Sequence, residues 1–377
     1  MAADLARVEA ALLDGIRHDP TEVAGPMADL FVAGGKRVRP ALVLLSASCG
    51  NYDLESVLPA AMAVELTHAA TLVHDDVIDR SPVRRGRPTV AASLGDAPAI
   101  VVGDFYFAKA YEYAARSNST EVVGILARAV MEICAGEVRQ QAIRYLYSTV
   151  VDEYMDRIEA KTAALLAACC DIGAVLGGLP PAQRSALHEY GRMLGLAFQI
   201  ADDVLDYLAS EGEIGKPIGK DVIEGFATLP LMVALGDESV AKQLKKVLRD
   251  GRELSAEQAA GVVEIVRKTG APQRALERAE QYASAASRQL DVIAPKVIVC
   301  LGACSAQTLL ETNRGISHFR GQWLDFRGRK LMATYHPAYL LRNPAAKADV
   351  WKDLQKVMAE LGLQVKKGKS ASAEKPS

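Results

Sequence analysis

The chain has 377 residues, half of them hydrophobic and 24% charged, with a formal net charge of -2. That length exceeds the usual size of one compact domain, and the near-neutral balance removes any global electrostatic case for nucleic acid. Aromatics are few, at 6%, and the longest apolar run, 297–310, is shorter than a bilayer span and interrupted by Gly302, Ser305 and Gln307, so a mainly helical protein with no transmembrane segment is expected. Cys49, Cys134, Cys169, Cys170, Cys300 and Cys304 form no CxxC pair and no signal-like segment precedes them, which predicts reduced thiols in a cytoplasmic protein.

From about residue 5 to 290, apolar residues recur at helical spacing, as in 60–79, 121–147, 151–176 and 181–207. Gly and Pro cluster at 34–35, 81–88, 177–181 and 212–219 and separate the helices, with no strand alternation between them. This predicts a mainly α fold, with one large helical bundle over 1–292. The texture changes at Ala294-Pro295. After it, a β-branched run at 296–301, a helix at 303–312, a strand at 330–335 and a helix at 345–361 predict a small, partial α/β segment over 293–364. The last stretch, 365–377, is rich in Lys, Ser and Ala and is expected to be disordered.

Two aspartate runs inside apolar helical sequence carry the chemistry. Asp75, Asp76 and Asp79 lie in HDDVID, and Asp202, Asp203 and Asp206 in FQIADDVLDY, so both read DDxxD. On a helix, residues four apart share a face and the adjacent Asp lies about 100° around, so each run aims two or three carboxylates into one space. One such run is as readily a solvated face or cap as a site; two inside apolar helices weigh strongly against that reading. Hard oxygen ligands at this density suit Mg²⁺, which binds through a few carboxylates together with waters and substrate phosphates.

Basic residues surround both runs: Lys36 and Arg39 in GGKRVRP, Arg84 and Arg85 past the first, Lys161 followed by Thr162 in KTA, and Lys216 and Lys220 past the second. Each alone is usually a surface charge. Clustered, they supply the forks and point charges that diphosphate oxygens require.

In their order, GGKRVRP, HDDVID with RRGRPT, KTA, FQIADDVLDY and GKPIGKD resemble the trans-isoprenyl diphosphate synthase family over residues 5–290. The resemblance implies an all-helical isoprenoid synthase bundle with a central cavity, usually a homodimer, and a prenyltransferase activity. It makes Asp75, Asp76, Asp79, Lys161, Asp202 and Asp203 catalytic, with these aspartates and Asp206 holding three Mg²⁺ ions. It gives the allylic diphosphate to Arg84, Lys161 and Gln199, and isopentenyl diphosphate to Lys36, Arg39, His68 and Arg85, with Thr162, Lys216 and Lys220 as further substrate contacts. His74 receives no role. The chain departs from the pattern at Gly225-Phe226-Ala227-Thr228, where many relatives read Gly-Lys-x-Thr; Lys216 or Lys220 is expected to compensate for that phosphate-facing lysine.

The implied function is all-trans polyprenyl diphosphate synthesis: head-to-tail condensation of isopentenyl diphosphate with an allylic diphosphate, without nucleic acid as a partner and with transient membrane contact at product release. Ala70 and Thr71 lie about 6 to 8 Å below Asp75 along its helix, and neither is a bulky floor, so a product longer than farnesyl, of about C30 to C50, is expected. The alternatives are a catalytically silent synthase subunit, a cyclase or coupling enzyme, which the second DDxxD and GGKRVRP disfavour, and a repair module at the C-terminus. That last reading arises because VIVCLGA at 297–303, FRGQW at 319–323 and TYHPAYLLR at 334–342 resemble the C-terminal part of iron-sulfur-type uracil-DNA glycosylases. The resemblance would place His336 on a flipped uracil and residues 339–342 in the duplex. That family's glycine-rich loop and cluster cysteines have no counterpart upstream, so a fused or truncated remnant is the plainer expectation.

Overall fold

The computed structural model describes residues 2–32, 34–147, 150–208, 219–248, 252–336, 339–340 and 343–362. The chain divides into two compact units, Met1–Ile293 and Ala294–Ser377. The described part of the first is helical apart from one short hairpin. Its helices are α1 (Ala2–Arg17), α2 (Thr21–Val32), α3 (Val38–Ser48), α4 (Leu54–Ile78), α5 (Val90–Leu94), α6 (Asp96–Ala115), α7 (Thr120–Ala142) and α8 (Val151–Ile158). A π-helical turn (Glu159–Ala163) carries α8 into α9 (Ala164–Leu176), followed by α10 (Pro181–Leu208), α11 (Lys220–Ile223), α12 (Leu229–Leu235), α13 (Glu238–Leu244), α14 (Ala256–Lys268) and α15 (Ala271–Ile293).

Two apolar cores hold this unit. One gathers Val43, Leu66, Tyr106, Leu126 and Ile172 from α3, α4, α6, α7 and α9. The other gathers Tyr154, Ile200, Leu231 and Val262 from α8, α10, α12 and α14. Each fully buried aliphatic side chain adds about 1.5 to 3 kcal/mol over leaving it in water, before the entropy of ordering it. Helix α4 starts where Asp53 accepts the Ser56 N–H at 3.1 Å, and α7 where Ser119 accepts the Val122 N–H at 3.3 Å, the usual way of satisfying orphan donors. By length and composition α4 is apolar enough to cross a membrane, but most of it is buried against its neighbours, as in the core helix of a bundle.

The hairpin was not foreseen. Strand β1 (Val83–Arg84) pairs antiparallel with β2 (Arg87–Pro88), and the two central residues, Arg85 (φ 53°) and Gly86 (φ 76°), are both left-handed, the backbone of a tight two-residue turn. Strands of two residues leave no alternation to read. The π turn was equally invisible. It is gripped from two sides, since a Cβ at Gly136 on α7 would sit 2.7 Å from the Ala160 Cβ and one at Gly195 on α10 would overlap the Ala163 backbone.

The second unit is a three-stranded sheet with helices. Strand β3 (Val297–Leu301) pairs parallel with β5 (Arg329–Thr334), which pairs antiparallel with β4 (Trp323–Phe326). Helices α16 (Ala303–Leu310) and α17 (Lys347–Glu360) complete it. Strand β4 was missed, and the last helix begins at Lys347 after a 3-10 turn, two residues later than expected. The unit's polar anchor is buried Asp353, which receives Arg320 through both oxygens at 3.1 Å and the Thr334 hydroxyl at 2.7 Å. The tail at 365–377, expected to be disordered, lies outside the described residues.

Candidate active site

Both aspartate clusters occupy the C-terminal ends of long helices. Asp75 and Asp76 sit in the last turn of α4, with Asp79 as its C-cap residue. Asp202, Asp203 and Asp206 lie in the last two turns of α10. Carboxylates there face the negative end of the helix dipole as well as one another. Such placement is unfavourable unless cations join them.

Within each cluster the structure separates the aspartates. Asp76, turned away from the Asp75–Asp79 face, is buried and receives Arg84 Nε and Nη2 at 2.9 Å each. Asp203 is buried as well: its Oδ1 accepts Gln199 Nε2 at 2.7 Å and its Oδ2 the Tyr154 hydroxyl at 2.7 Å. Asp206 caps α11, accepting the backbone N–H of Lys220 at 3.2 Å and of Asp221 at 3.1 Å. The side chains of Asp75, Asp79 and Asp202 accept no hydrogen bond among the described residues. The six aspartates expected to hold metal thus divide into three open carboxylates, Asp75, Asp79 and Asp202, and three, Asp76, Asp203 and Asp206, that hydrogen-bond within the protein.

Cations gather between the clusters. Lys161, projected from the π turn, pairs with Glu137 of α7 at 2.9 Å, and its charge reaches Asp75. Lys220 bonds Glu224 at 3.1 Å and reaches both Asp76 and Asp206. Burial pushes Asp75 up to about 6, with Lys161 opposing it and Glu137 and Asp79 adding to it. Burial likewise pushes Asp203 up to about 6, and Asp221, beside Asp203, Asp206 and Glu224, is raised well above the usual carboxylate range.

These residues fit Mg²⁺. All the donors are hard oxygens, and burial first, then the neighbouring carboxylates, raises Asp75 and Asp221, an electrostatic load that a divalent cation would relieve. Among the described residues no three side chains form a ready-made cage. Mg²⁺ seldom uses one: it binds through one or two carboxylates with waters and phosphate oxygens.

A second group of cations forms around α4. Arg39 has a fully buried Nε without a partner, and the charges of Arg39, Arg85, Arg84 and Arg37 all bear on His68. Arg85 approaches the Gly34-Gly35 loop from the hairpin, since a Cβ at Gly35 would lie 3.2 Å from its Nη1. Lys36 stands exposed on that loop. An unpartnered buried guanidinium donor among like charges is a place for an anion. By contrast, a cleft of about 750 Å³ lined by Gly15, Asp19, Met62 and Lys109 includes no residue of either cluster.

With this geometry in view, the comparisons are specific. The Polyprenyl synthetase profile matches residues 20–266. The chain belongs to the polyprenyl synthetase family. This polyprenyl synthetase is 38% identical over 291 residues to the "Heptaprenyl diphosphate synthase component 2" of Geobacillus stearothermophilus, covering 77% of this chain and 90% of that one. It is 34% identical over 296 residues to the octaprenyl diphosphate synthase of Escherichia coli, covering 78% and 90%. Among solved structures, the heptaprenyl diphosphate synthase of Staphylococcus aureus superposes with a TM-score of 0.73 at 31% identity, covering 77% of this chain and 91% of that one. The polyprenyl synthase of Caulobacter crescentus, complexed with calcium and isoprenyl diphosphate, gives 0.71 at 38% identity, covering 77% and 89%. The Uracil DNA glycosylase superfamily profile matches residues 234–355.

The remaining predicted residues of this polyprenyl synthetase are placed as follows. Thr162 donates to Gln199 Oε1 at 2.6 Å and Gln199 passes the bond to Asp203, so both position that carboxylate. Lys216 lies outside the described residues. His74 holds α4 to α6, its Nε2 lying 3.0 Å from the Ile100 carbonyl. Four site residues went unassigned in the sequence: Glu137, Asp221, Glu224 and Tyr154. Only Asp221 had a signal, as the last residue of GKPIGKD.

Burial first, and then the four arginine charges, hold His68 well below its ordinary range. A histidine kept neutral when folded but free to protonate when unfolded favours the unfolded chain as pH drops below about 6.5. The His68 contribution therefore turns against the substrate-free fold from about pH 7 to about pH 5, opposite in sign to the raised carboxylates of Asp75 and Asp203, so His68→Gln is expected to gain stability relative to the parent across that range and to change the slope. Urea melts across that range test this, and an unchanged slope would contradict it.

Proposed function

We propose that the first unit is an Mg²⁺-dependent all-trans polyprenyl diphosphate synthase, joining isopentenyl diphosphate head-to-tail to an allylic diphosphate. The observation that carries this reading is the division of the two clusters into open carboxylates (Asp75, Asp79, Asp202) and engaged ones (Asp76, Asp203, Asp206), with cations between them. Three Mg²⁺ ions held by the open carboxylates would neutralise charge on the departing diphosphate. Lys161 and Lys220 hold that diphosphate from either side, and Arg84 keeps Asp76 in place behind it. Arg39, Arg85 and Lys36 hold the diphosphate of isopentenyl diphosphate, with neutral His68 beneath. The allylic C–O bond breaks with its electron pair on oxygen, the isopentenyl double bond attacks the cation, and a proton leaves to the released diphosphate. The reaction requires that water be kept from the cation.

Several finer assignments belong to this proposal. A homodimer is supported by the apolar residues left exposed on α6 and α7: Ile100 (45%), Val101 (62%), Met131 (62%) and Val138 (71%). The relative named "component 2" favours a second reading, in which that face meets a different chain; the mass of the purified protein in solution decides between them. Six unpaired thiols support a cytoplasmic location. The second unit we read as a glycosylase-like remnant whose Arg320, Thr334 and Asp353 serve folding.

Incubation with Mg²⁺, labelled isopentenyl diphosphate and farnesyl or geranylgeranyl diphosphate tests the synthase reading. A product of about C30 to C50 is expected, because Ala70 is buried and small at the level about 7 Å below Asp75. The Thr71 hydroxyl beside it bonds its own helix, donating to the His68 carbonyl at 2.7 Å. Ala70→Phe should shorten the product by at least one prenyl unit. No product with any primer overturns the activity, and identical lengths in both proteins overturn the role of Ala70.

A further inference from the structure

We propose that Arg144 is a substrate-binding residue of this chain, gripping the diphosphate between the two aspartate clusters from the place where Phe226 stands instead of a lysine. The proposal rests on the synthase reading and deepens it. Arg144 follows the end of α7 and is delivered to the 224–226 loop by a specific backbone arrangement. Tyr145 is left-handed, with φ 62°, and its N–H bonds the Gly225 carbonyl at 2.8 Å. Gly225 has φ 84°, and a Cβ there would overlap the Tyr145 ring. Only glycine meets both demands.

The side chain is then fixed in orientation. Arg144 Nε donates to the Glu224 carbonyl at 2.7 Å. Its guanidinium carbon lies 5.1 Å from the Tyr145 ring centroid and 5.8 Å from that of Phe226, and Phe226 is buried. Phe226 thus acts as a platform for a cation where the family pattern would supply one. A guanidinium has five N–H donors. One is on the Glu224 carbonyl and one lies near the Tyr145 hydroxyl, which leaves donors for an incoming anion.

The location is the meeting point of the clusters. The Glu224 carboxylate lies within electrostatic reach of Lys220, of Asp79 from the first cluster and of Arg144. Lys220 is already paired with Glu224, in surroundings that also hold Asp206 and Asp221. A diphosphate entering there needs a further cation, and a stacked arginine fork binds phosphate oxygens in pairs with little ordering cost. A merely structural Arg144, tethering α7 to the loop, would use the same carbonyl bond and stacking. The two roles differ in what a lysine at position 226 can restore.

The test uses the full chain with Mg²⁺ and reads inorganic pyrophosphate binding by calorimetry, KM for each substrate, and Tm. Arg144→Gln is expected to weaken pyrophosphate binding and raise the allylic KM by about tenfold, leaving the isopentenyl KM within about twofold. Adding Phe226→Lys to Arg144→Gln should recover most of that loss. Unchanged pyrophosphate binding in Arg144→Gln overturns the proposal, as does a lowered Tm with equal rises in both KM values and no recovery by the lysine. If the unaltered protein binds no pyrophosphate, the synthase reading fails and this proposal with it.

Discussion

Asp75→Ala, Asp79→Ala and Asp202→Ala are each expected to cut the rate of chain elongation by about three orders of magnitude or more, since each removes an open carboxylate from the proposed metal and diphosphate site. Asp206→Asn should behave differently. Its carboxylate caps α11 through two backbone N–H bonds, so the amide keeps part of that role; activity should stay within about tenfold and stability should fall by about 1 kcal/mol. Steady-state rates and denaturant melts on the four variants separate the two classes. Equal losses at Asp206 and Asp202 would show that the engaged carboxylate is also a metal ligand.

The largest effect on stability is expected at Arg37. Its Nη1 meets buried Glu65 at 3.0 Å, its Nε meets Glu9 at 2.9 Å and its Nη2 meets the Phe31 carbonyl at 3.0 Å. Glu65 is only 5% exposed, so Arg37→Met removes the hydrogen-bonded partner of a buried carboxylate and leaves it only the longer-range charges of Arg39 and Arg85. A loss of about 3 kcal/mol is expected, with most of it regained in the Arg37→Met, Glu65→Gln double variant. Urea melts of the two proteins test this. A single variant as stable as the parent would show that Glu65 finds another partner.

Arg37 also marks how far the sequence could be read. GGKRVRP presents three basic residues in four positions, and nothing local says that Arg37 serves the fold while Arg39 keeps a buried donor unpartnered. The helices were legible because apolar residues at helical spacing must pack, and the aspartate clusters because two DDxxD runs in apolar helices have little other use. The division into open and engaged carboxylates was not legible. It depends on partners distant in sequence: Tyr154 for Asp203, the loop at 220–221 for Asp206, and Glu137 beside Lys161. Strand β4, Trp323–Phe326, was missed because it gains definition only from its pairing with β5. The absent lysine at Phe226 was visible, whereas Arg144, 82 positions earlier, becomes relevant only once Gly225 and Tyr145 are hydrogen-bonded.

The central claim is that the two clusters bind one diphosphate jointly, through metal. The most direct measurement is calorimetric titration of pyrophosphate into the protein with and without Mg²⁺, repeated with Asp75→Ala and Asp202→Ala. The account predicts binding only when Mg²⁺ is present and its loss in either variant alone. Binding that persists without Mg²⁺, or survives the removal of either carboxylate, would contradict it.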